Sequence, residues 1–402
     1  MLLGGKRVSK QKEAGTRKTT SLVLGIMAVV IIIFIVITKN PFKSMANKYT
    51  ILEEQKDVLK LDSLQDTYIG INNKQIIKVT DDGIVAYDIN GEELWSDTLT
   101  LDHYIVKQRE PYIAVANKMG NSITVFNEKG KQGEIICENA IAYFSINKNG
   151  SVAVIESLGE SHIISAYDQK GHSLGVKRIT FTKDAGYPAV VELSPNDDLL
   201  LASYVNVDKP VLTSTLIALK TQKPKEETKD DSVYGIQQKD NFIYEIEFIK
   251  DSEWVSIGDK VTTWYTLSGN EVSRKKDLFS QFNPYLVKTS PYGEGFFPII
   301  STANVNQNKL HRENVLSYFS AKGKEYFNTK LNEAATYFYA DDQGVIIGEK
   351  KHFIGYNKMG NKIFEFTTSL NVSKLLYLQD GKNAMAVTKD KVILLGPKKE
   401  GE

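Results

Sequence analysis

The sequence predicts an all-β fold, a β-propeller with eight blades, or seven as the alternative, preceded by one N-terminal transmembrane α-helix. Three observations carry this. A strand–turn–strand unit recurs at roughly forty-residue spacing, the period of a four-stranded blade. Each copy follows a shorter unit of apolar run, polar turn and apolar run. An uncharged apolar run, Leu22 to Thr38, lies between a basic leader and this β-rich body.

In chain order, residues 1–20 form a basic cytoplasmic tail. Lys6, Arg7, Lys10, Lys12, Arg17 and Lys18 stand there against Glu13 alone. The whole chain carries a net charge of +1, so everything after the tail is mildly acidic. That balance argues against nucleic-acid binding, which needs a basic face. Residues 21–38 form the transmembrane helix; with Thr20 they give about twenty residues, enough for a hydrocarbon core of ~30 Å. Basic residues before the span place the N-terminus inside and the body outside the membrane. Cleavage after Ser44-Met45-Ala46 is the competing reading. The apolar run is long for a signal peptide, and Lys39 and Lys43 interrupt the approach to the site, which favours an uncleaved anchor. Residues 39–48, with Asn40-Pro41, form a juxtamembrane linker, and 397–402 a polar tail.

Residues 49–396 form the propeller. Its clearest copy is Asp82 to Trp95, DGIVAYDINGEELW. Asn90-Gly91 between β-favouring runs predicts a hairpin with a type I′ turn. An aromatic residue precedes a glycine by four positions at Tyr87/Gly91, Phe126/Gly130, Tyr167/Gly171, Tyr265/Gly269, Phe319/Gly323 and Tyr356/Gly360. A weaker copy without the glycine falls at Leu216-Ile217-Ala218-Leu219. The preceding units include Phe144 to Gly150 and Leu193-Ser194-Pro195-Asn196-Asp197-Asp198. Complete units are expected near 55–98, 99–138, 139–180, 186–238, 240–280, 281–330 and 331–367. The tail from Val372 to Leu395 supplies three strands. Tyr49 to about Leu59 is available as the fourth, and closure would remove two unpaired edges.

Residues 75–95, QIIKVTDDGIVAYDINGEELW, resemble a repeat of the pyrroloquinoline-quinone-type propellers. Residues 191–204, VELSPNDDLLLASY, resemble the turn between the first two blade strands in WD-repeat and TolB-like propellers. The whole chain is similar to an uncharacterised family of single-pass, membrane-anchored propeller proteins from Gram-positive bacteria. The resemblance implies architecture and location at the cell membrane, with the C-terminal domain extracytoplasmic. It implies no activity.

Two insertions interrupt the rhythm. Lys220 to Asp231 is a charged run that reads as a solvated loop. Asn283 to Arg312 is rich in Pro, Tyr, Phe and Asn, and reads as strand cores around bulges or as a recognition surface.

The search for chemistry yields no catalytic, cofactor-binding or metal-ligating residue, and no cofactor is expected. Cys137 is the only cysteine, so no intramolecular disulfide and no cysteine pair on a quinone can form. His103, His162, His172, His311 and His352 show no compact ligand spacing. Trp95, Trp254 and Trp264 are read as blade packing. The expected function is therefore a binding or scaffold module. Its partners would be the membrane it is anchored in and another envelope protein or a wall polymer. An envelope enzyme with a site at the propeller channel, or a ligand sensor, is the alternative.

Overall fold

A computed structural model describes residues 49–398, except 64, 209, 222–231, 270, 280–281, 288–295, 305–311, 342 and 379–381. The expected tail, membrane span and linker, residues 1–48, lie outside the described residues, as does most of the charged run. Among the described residues no helix is long and apolar enough to cross a membrane.

The described chain is all-β apart from one four-residue helix, α1 (Thr182–Ala185), and its architecture is a β-propeller. Strand β1 (Thr50–Lys60) comes first. A meander of β2 (Tyr68–Asn72), β3 (Gln75–Thr80), β4 (Gly83–Tyr87) and β5 (Glu93–Thr98) follows. The next comprises β6 (Tyr104–Arg109), β7 (Tyr112–Asn117), β8 (Ser122–Asn127) and β9 (Gly130–Ile136). Then come β10 (Ala140–Ile146), β11 (Val152–Leu158), β12 (Ser161–Tyr167) and β13 (Ser173–Phe181). After α1 lie β14 (Tyr187–Leu193), β15 (Leu199–Asn206), β16 (Thr213–Lys220) and β17 (Ser232–Lys239). They precede β18 (Ile243–Lys250), β19 (Glu253–Gly258), β20 (Val261–Ser268) and β21 (Glu271–Phe279). The sixth group is β22 (Phe282–Val287), β23 (Phe296–Asn304), β24 (Arg312–Ser320) and β25 (Glu325–Lys330). The seventh is β26 (Tyr337–Ala340), β27 (Gly344–Glu349), β28 (His352–Asn357) and β29 (Lys362–Thr367). Last are β30 (Lys374–Tyr377), β31 (Ala384–Val387) and β32 (Lys391–Pro397).

The first six meanders are separate four-stranded sheets. The last two share one eight-stranded sheet, ordered β26-β27-β28-β29-β1-β32-β31-β30. Strand β1 makes this joint. It runs antiparallel to β32 from Leu52↔Pro397 to Lys60↔Lys391, and parallel to β29 over Thr50–Leu52. Lys391 Nζ bonds Asp57 Oδ1 at 2.9 Å across the joint. The three C-terminal strands thus receive their fourth from the N-terminal side, in antiparallel register. The first meander starts at Tyr68 and not near residue 55, because the whole of Thr50–Lys60 is given over to this pairing.

Blade packing explains why the strands read as apolar runs. Successive side chains on a strand point to opposite faces. Ile76 packs against the C-terminal strands, with Leu376 and Met385, while its neighbour Ile77 packs with Ile113 and Val115 of the second meander. Likewise Leu200 faces Ala153 and Ile155, and Leu201 faces Ile246 and Phe248. Both faces of each inner strand are therefore covered, so alternation is lost and continuous hydrophobicity results.

The six aromatic–glycine hairpins share a glycine in the left-handed region, although at Gly269 strand pairing continues to Ser268↔Glu271 and leaves a shorter loop. Gly91, Gly130, Gly171, Gly269, Gly323 and Gly360 all have positive φ, between 63° and 97°. Asn90 does not, so the turn is not type I′. Instead Gly91 N–H donates to the Asp88 carbonyl at 3.1 Å, and Asp88 N–H to the Glu92 carbonyl at 2.9 Å. Register then slips between Ala86 and Tyr87. This is a three-residue loop closed by a bulge with glycine in the left-handed region. The side chain of Asp88 makes the loop: its Oδ1 accepts from Asn90 N–H and Glu92 N–H, both at 2.8 Å. Asp168 and Asn357 repeat both bonds three residues before Gly171 and Gly360.

Candidate functional site

The first strand of each meander is the innermost. Residues of β2, β6, β10, β14, β18, β26 and β30 line one cavity of about 510 Å³. First strands from seven meanders meeting at one cavity make it the central channel of the ring. Its wall combines tyrosines with charge. Tyr68, Tyr143, Tyr337 and Tyr339 contribute aromatic surface, and five carboxylates face three cationic side chains.

Arg109 is the centre of that charge. Its Nη2 lies 2.5 Å from Glu247 Oε2 and 3.6 Å from Glu192 Oε1, with all three side chains at most 13% exposed. The three residues come from three different meanders, so the guanidinium ties separate blades across the channel wall. Glu192 Oε1 is buried and finds no hydrogen-bond partner within the chain. Burial first, and the neighbouring Glu247 carboxylate second, push the Glu192 carboxyl up to about 8, against the opposing pull of Arg109. Burial also raises the Tyr143 phenol, helped by Glu192 and Glu247.

The remaining cations are held against rings. Lys107 Nζ stands 4.7 Å from the Tyr143 ring centroid, and Lys374 Nζ 4.2 Å from that of Tyr68. Lys374 also donates to the Ile69 carbonyl at 3.0 Å. Tyr68 O–H donates to Gln108 Oε1 at 3.0 Å, and burial raises its phenol to about 12. Such contacts lock the wall in place, with Tyr337 O–H bonded to the Leu375 carbonyl at 2.7 Å.

A second feature lies at one rim. The ends of β11, β13 and β15 and the start of β14 meet there, because Ser161 pairs with Phe181 and Tyr187 with Val205. Leu158, Phe181, Tyr187 and Val207 are 45%, 60%, 53% and 58% exposed. Tyr187 also stacks edge-on against His162, with ring centroids 6.0 Å apart.

The residues weighed from sequence fall elsewhere. Trp254 and Trp264 are buried in the blade interior. Trp95 stacks on Phe126 and its Nε1–H donates to the Glu128 carbonyl at 3.0 Å, joining two blades. His172 pairs with Asp168 at 2.9 Å, His103 lies near Asp102 and His352 near Glu365. His311 lies outside the described residues. Among the described residues no group of three His, Cys, Asp or Glu side chains could hold a metal ion. Cys137 is buried, and burial raises its thiol to about 12. The Ser194–Asp198 carboxylates serve a turn: Asn149 Nδ2 donates to Asp197 Oδ2 at 3.0 Å, and Asn196 Nδ2 to Asp198 Oδ2 at 2.6 Å. In the aromatic insertion, Phe296 and Phe297 are core residues of β23. Residues 288–295 and 305–311 of the insertion lie outside the described residues.

A family of unknown function (DUF5711) matches residues 45–394. No curated protein matches the sequence. Among solved structures, the chain is similar to BamB from Moraxella catarrhalis, at 11% identity and a TM-score of 0.49, over 87% of this chain and 100% of that one. It is similar to hydrazine synthase of Kuenenia stuttgartiensis, at 13% identity and 0.41, over 85% and 98%. It is also similar to BBS1N in complex with ARL6DN, at 10% identity and 0.44, over 88% and 99%.

Proposed function

The chain belongs to the family of unknown function DUF5711, and we propose that its propeller is a membrane-tethered binding module, presenting one rim to a protein of the cell envelope. The observation that carries this is the exposed apolar surface of Leu158, Phe181, Tyr187 and Val207. Apolar side chains gathered from neighbouring strand ends at one rim are what a protein partner covers. Its apolar chemistry favours a protein over a wall polymer, whose hydroxyls would need hydrogen-bonding side chains. Closure into an eight-bladed ring makes the rim rigid, which lowers the ordering cost of binding. The apolar run at residues 21–38 and the basic tail before it support a single-pass anchor with the propeller outside.

The test is photo-crosslinking in cells with the full anchored chain. A crosslinker at Tyr187 should capture one envelope protein, and Phe181→Glu should abolish the adduct. A crosslinker at Met359, exposed on the opposite rim, should not give it. Equal capture from both rims, or none from Tyr187, overturns the assignment. Protease added outside intact cells should digest the propeller; full protection would refute its extracytoplasmic placement.

A further inference from the structure

We propose that one sector of the rim where β1 begins lies against an anionic phospholipid surface, with lysines on the headgroups and apolar side chains between them. The proposal rests on the tethered reading above and adds to it which rim meets lipid.

Strand polarity defines the rims. β1 begins beside the end of β32, because Leu52 pairs with Pro397, and it runs parallel to the start of β29 from Thr50↔Phe364. The turns between third and fourth strands lie at this rim. The ends of β11 and β13, with Leu158 and Phe181, lie at the opposite one. The chain outside the described residues joins the ring at Tyr49. Only residues 39–48 separate that point from the apolar run, and ten residues reach at most ~36 Å when fully extended.

Positive charge gathers around this entry. In residues 49–52, 320–326, 357–362 and 397–398, five lysines stand against one carboxylate, Glu325. They are Lys322, Lys324, Lys358, Lys362 and Lys398. Glu325 accepts from Ser317 Oγ and Asn328 Nδ2, and Lys362 pairs with Glu365. Glu53 and Glu54 follow on β1, and Glu54 reaches Thr368, past the far end of β29. The pieces are joined: Tyr326 O–H donates to the Lys358 carbonyl at 3.0 Å, and Lys398 N–H to the Ile51 carbonyl at 2.8 Å. The sector is local, since the matching turn of the first meander, Asp88 to Glu93, carries three carboxylates and no base.

Apolar surface lies between the lysines. Met359, Ile51, Tyr326 and Tyr49 are 74%, 53%, 47% and 39% exposed. Such side chains suit the headgroup boundary, where lysine stems lie along apolar surface and their ammonium groups reach anionic lipid. Lysine is depleted from protein–protein interfaces, which favours lipid over a protein here.

The test uses the full chain reconstituted in phosphatidylcholine vesicles, with or without phosphatidylglycerol. A fluorophore is placed at Met359→Cys or, in the β7–β8 turn at the opposite rim, at Met119→Cys; Cys137 is buried. A headgroup spin label should quench the probe at 359 at least about twofold more when phosphatidylglycerol is present. High salt should erase that difference, and so should Lys322→Glu, Lys324→Glu and Lys398→Glu combined. The probe at 119 should show no such difference. Should the triple variant fail to fold, the salt dependence of the wild-type chain decides. No effect of phosphatidylglycerol at 359 overturns the proposal and leaves the sector to a protein. An effect that survives high salt, or one equal at 119, also overturns it. An alkaline carbonate wash tests the anchor separately: a chain stripped from the vesicles refutes the tether, whatever the probe at 359 reads.

Discussion

Replacing Gly91 by alanine separates the cost of a turn from the cost of a blade contact. Gly91 has φ +89°, where an L side chain is strained by about 1–2 kcal/mol. A Cβ there would also press into the carbonyl oxygen of Val58, on the backbone of β1. That neighbour is backbone, at a bulge between the paired residues Asp57 and Leu59, and not the end of a flexible side chain, so overpacking of ~1–3 kcal/mol is added. Gly269, in the tip of another hairpin between Ser268 and Glu271, has φ +63° with open space around its Cβ. Gly269→Ala should therefore cost only the strain, and Gly91→Ala about 2–5 kcal/mol in all. With an unfolding entropy of ~2 cal/mol/K per residue, a ring this long loses roughly 1–1.5 °C of Tm per kcal/mol. The pair should differ by about 1–4 °C in calorimetry. Hydrogen exchange gives the location: Gly91→Ala should expose amides of β1 and β32, and Gly269→Ala should leave them protected. Equal losses of Tm with unchanged exchange at β1 would refute the contact argument.

Three further outcomes follow from the same structure. Glu192 holds its proton to about 8 when folded, against ~4.3 in an unfolded chain. The folded state binds more protons in that interval, so the associated stability is full below the unfolded value and is lost as the pH rises toward about 8. Glu192→Gln should flatten that slope in denaturant titrations, and an unchanged slope would remove Glu192 as its source. Cys137 should resist thiol reagents in the native chain and react only on unfolding, because it is buried and its thiol is raised to about 12; fast native labelling would contradict this. Trp95→Phe keeps the stack on Phe126 but removes the N–H donated to Glu128, and should cost about 1 kcal/mol in urea unfolding. Trp95→Ala should cost at least twice that, and equal costs would mean the ring contributes nothing.

The blade rhythm was legible because its signals are local. A glycine forced to positive φ, an aromatic four residues earlier and an apolar run between polar turns can each be read within a dozen residues. The turn type was misread for a local reason too. Asn90-Gly91 is a strong pair signal, but Asp88, with its bonds to two backbone N–H groups, sets a longer loop. The recurrence of Asp168 and Asn357 three residues before a glycine was the available clue. The channel was not legible. Arg109 and Glu247 are 138 residues apart, and neither stands in a motif. Each stands among other polar residues in a short inner strand, YIVKQR or IYEIEFIK, whose local pattern does not single it out. Such a residue is a candidate for the channel wall only once the ring order is known.

Strand β1 is also the first part of the ring to be synthesised and the last to find its place. Asp57 waits for Lys391, 334 residues downstream. At ~5–20 residues per second, that interval lasts some tens of seconds. The strand is suited to waiting. Its middle, Glu53-Glu54-Gln55-Lys56-Asp57, is mostly charged, which opposes pairing with a second nascent copy. A ribosome that stops early releases a chain whose ring cannot shut. Without its last strand the ring keeps unpaired edges, and β1 lacks its antiparallel partner.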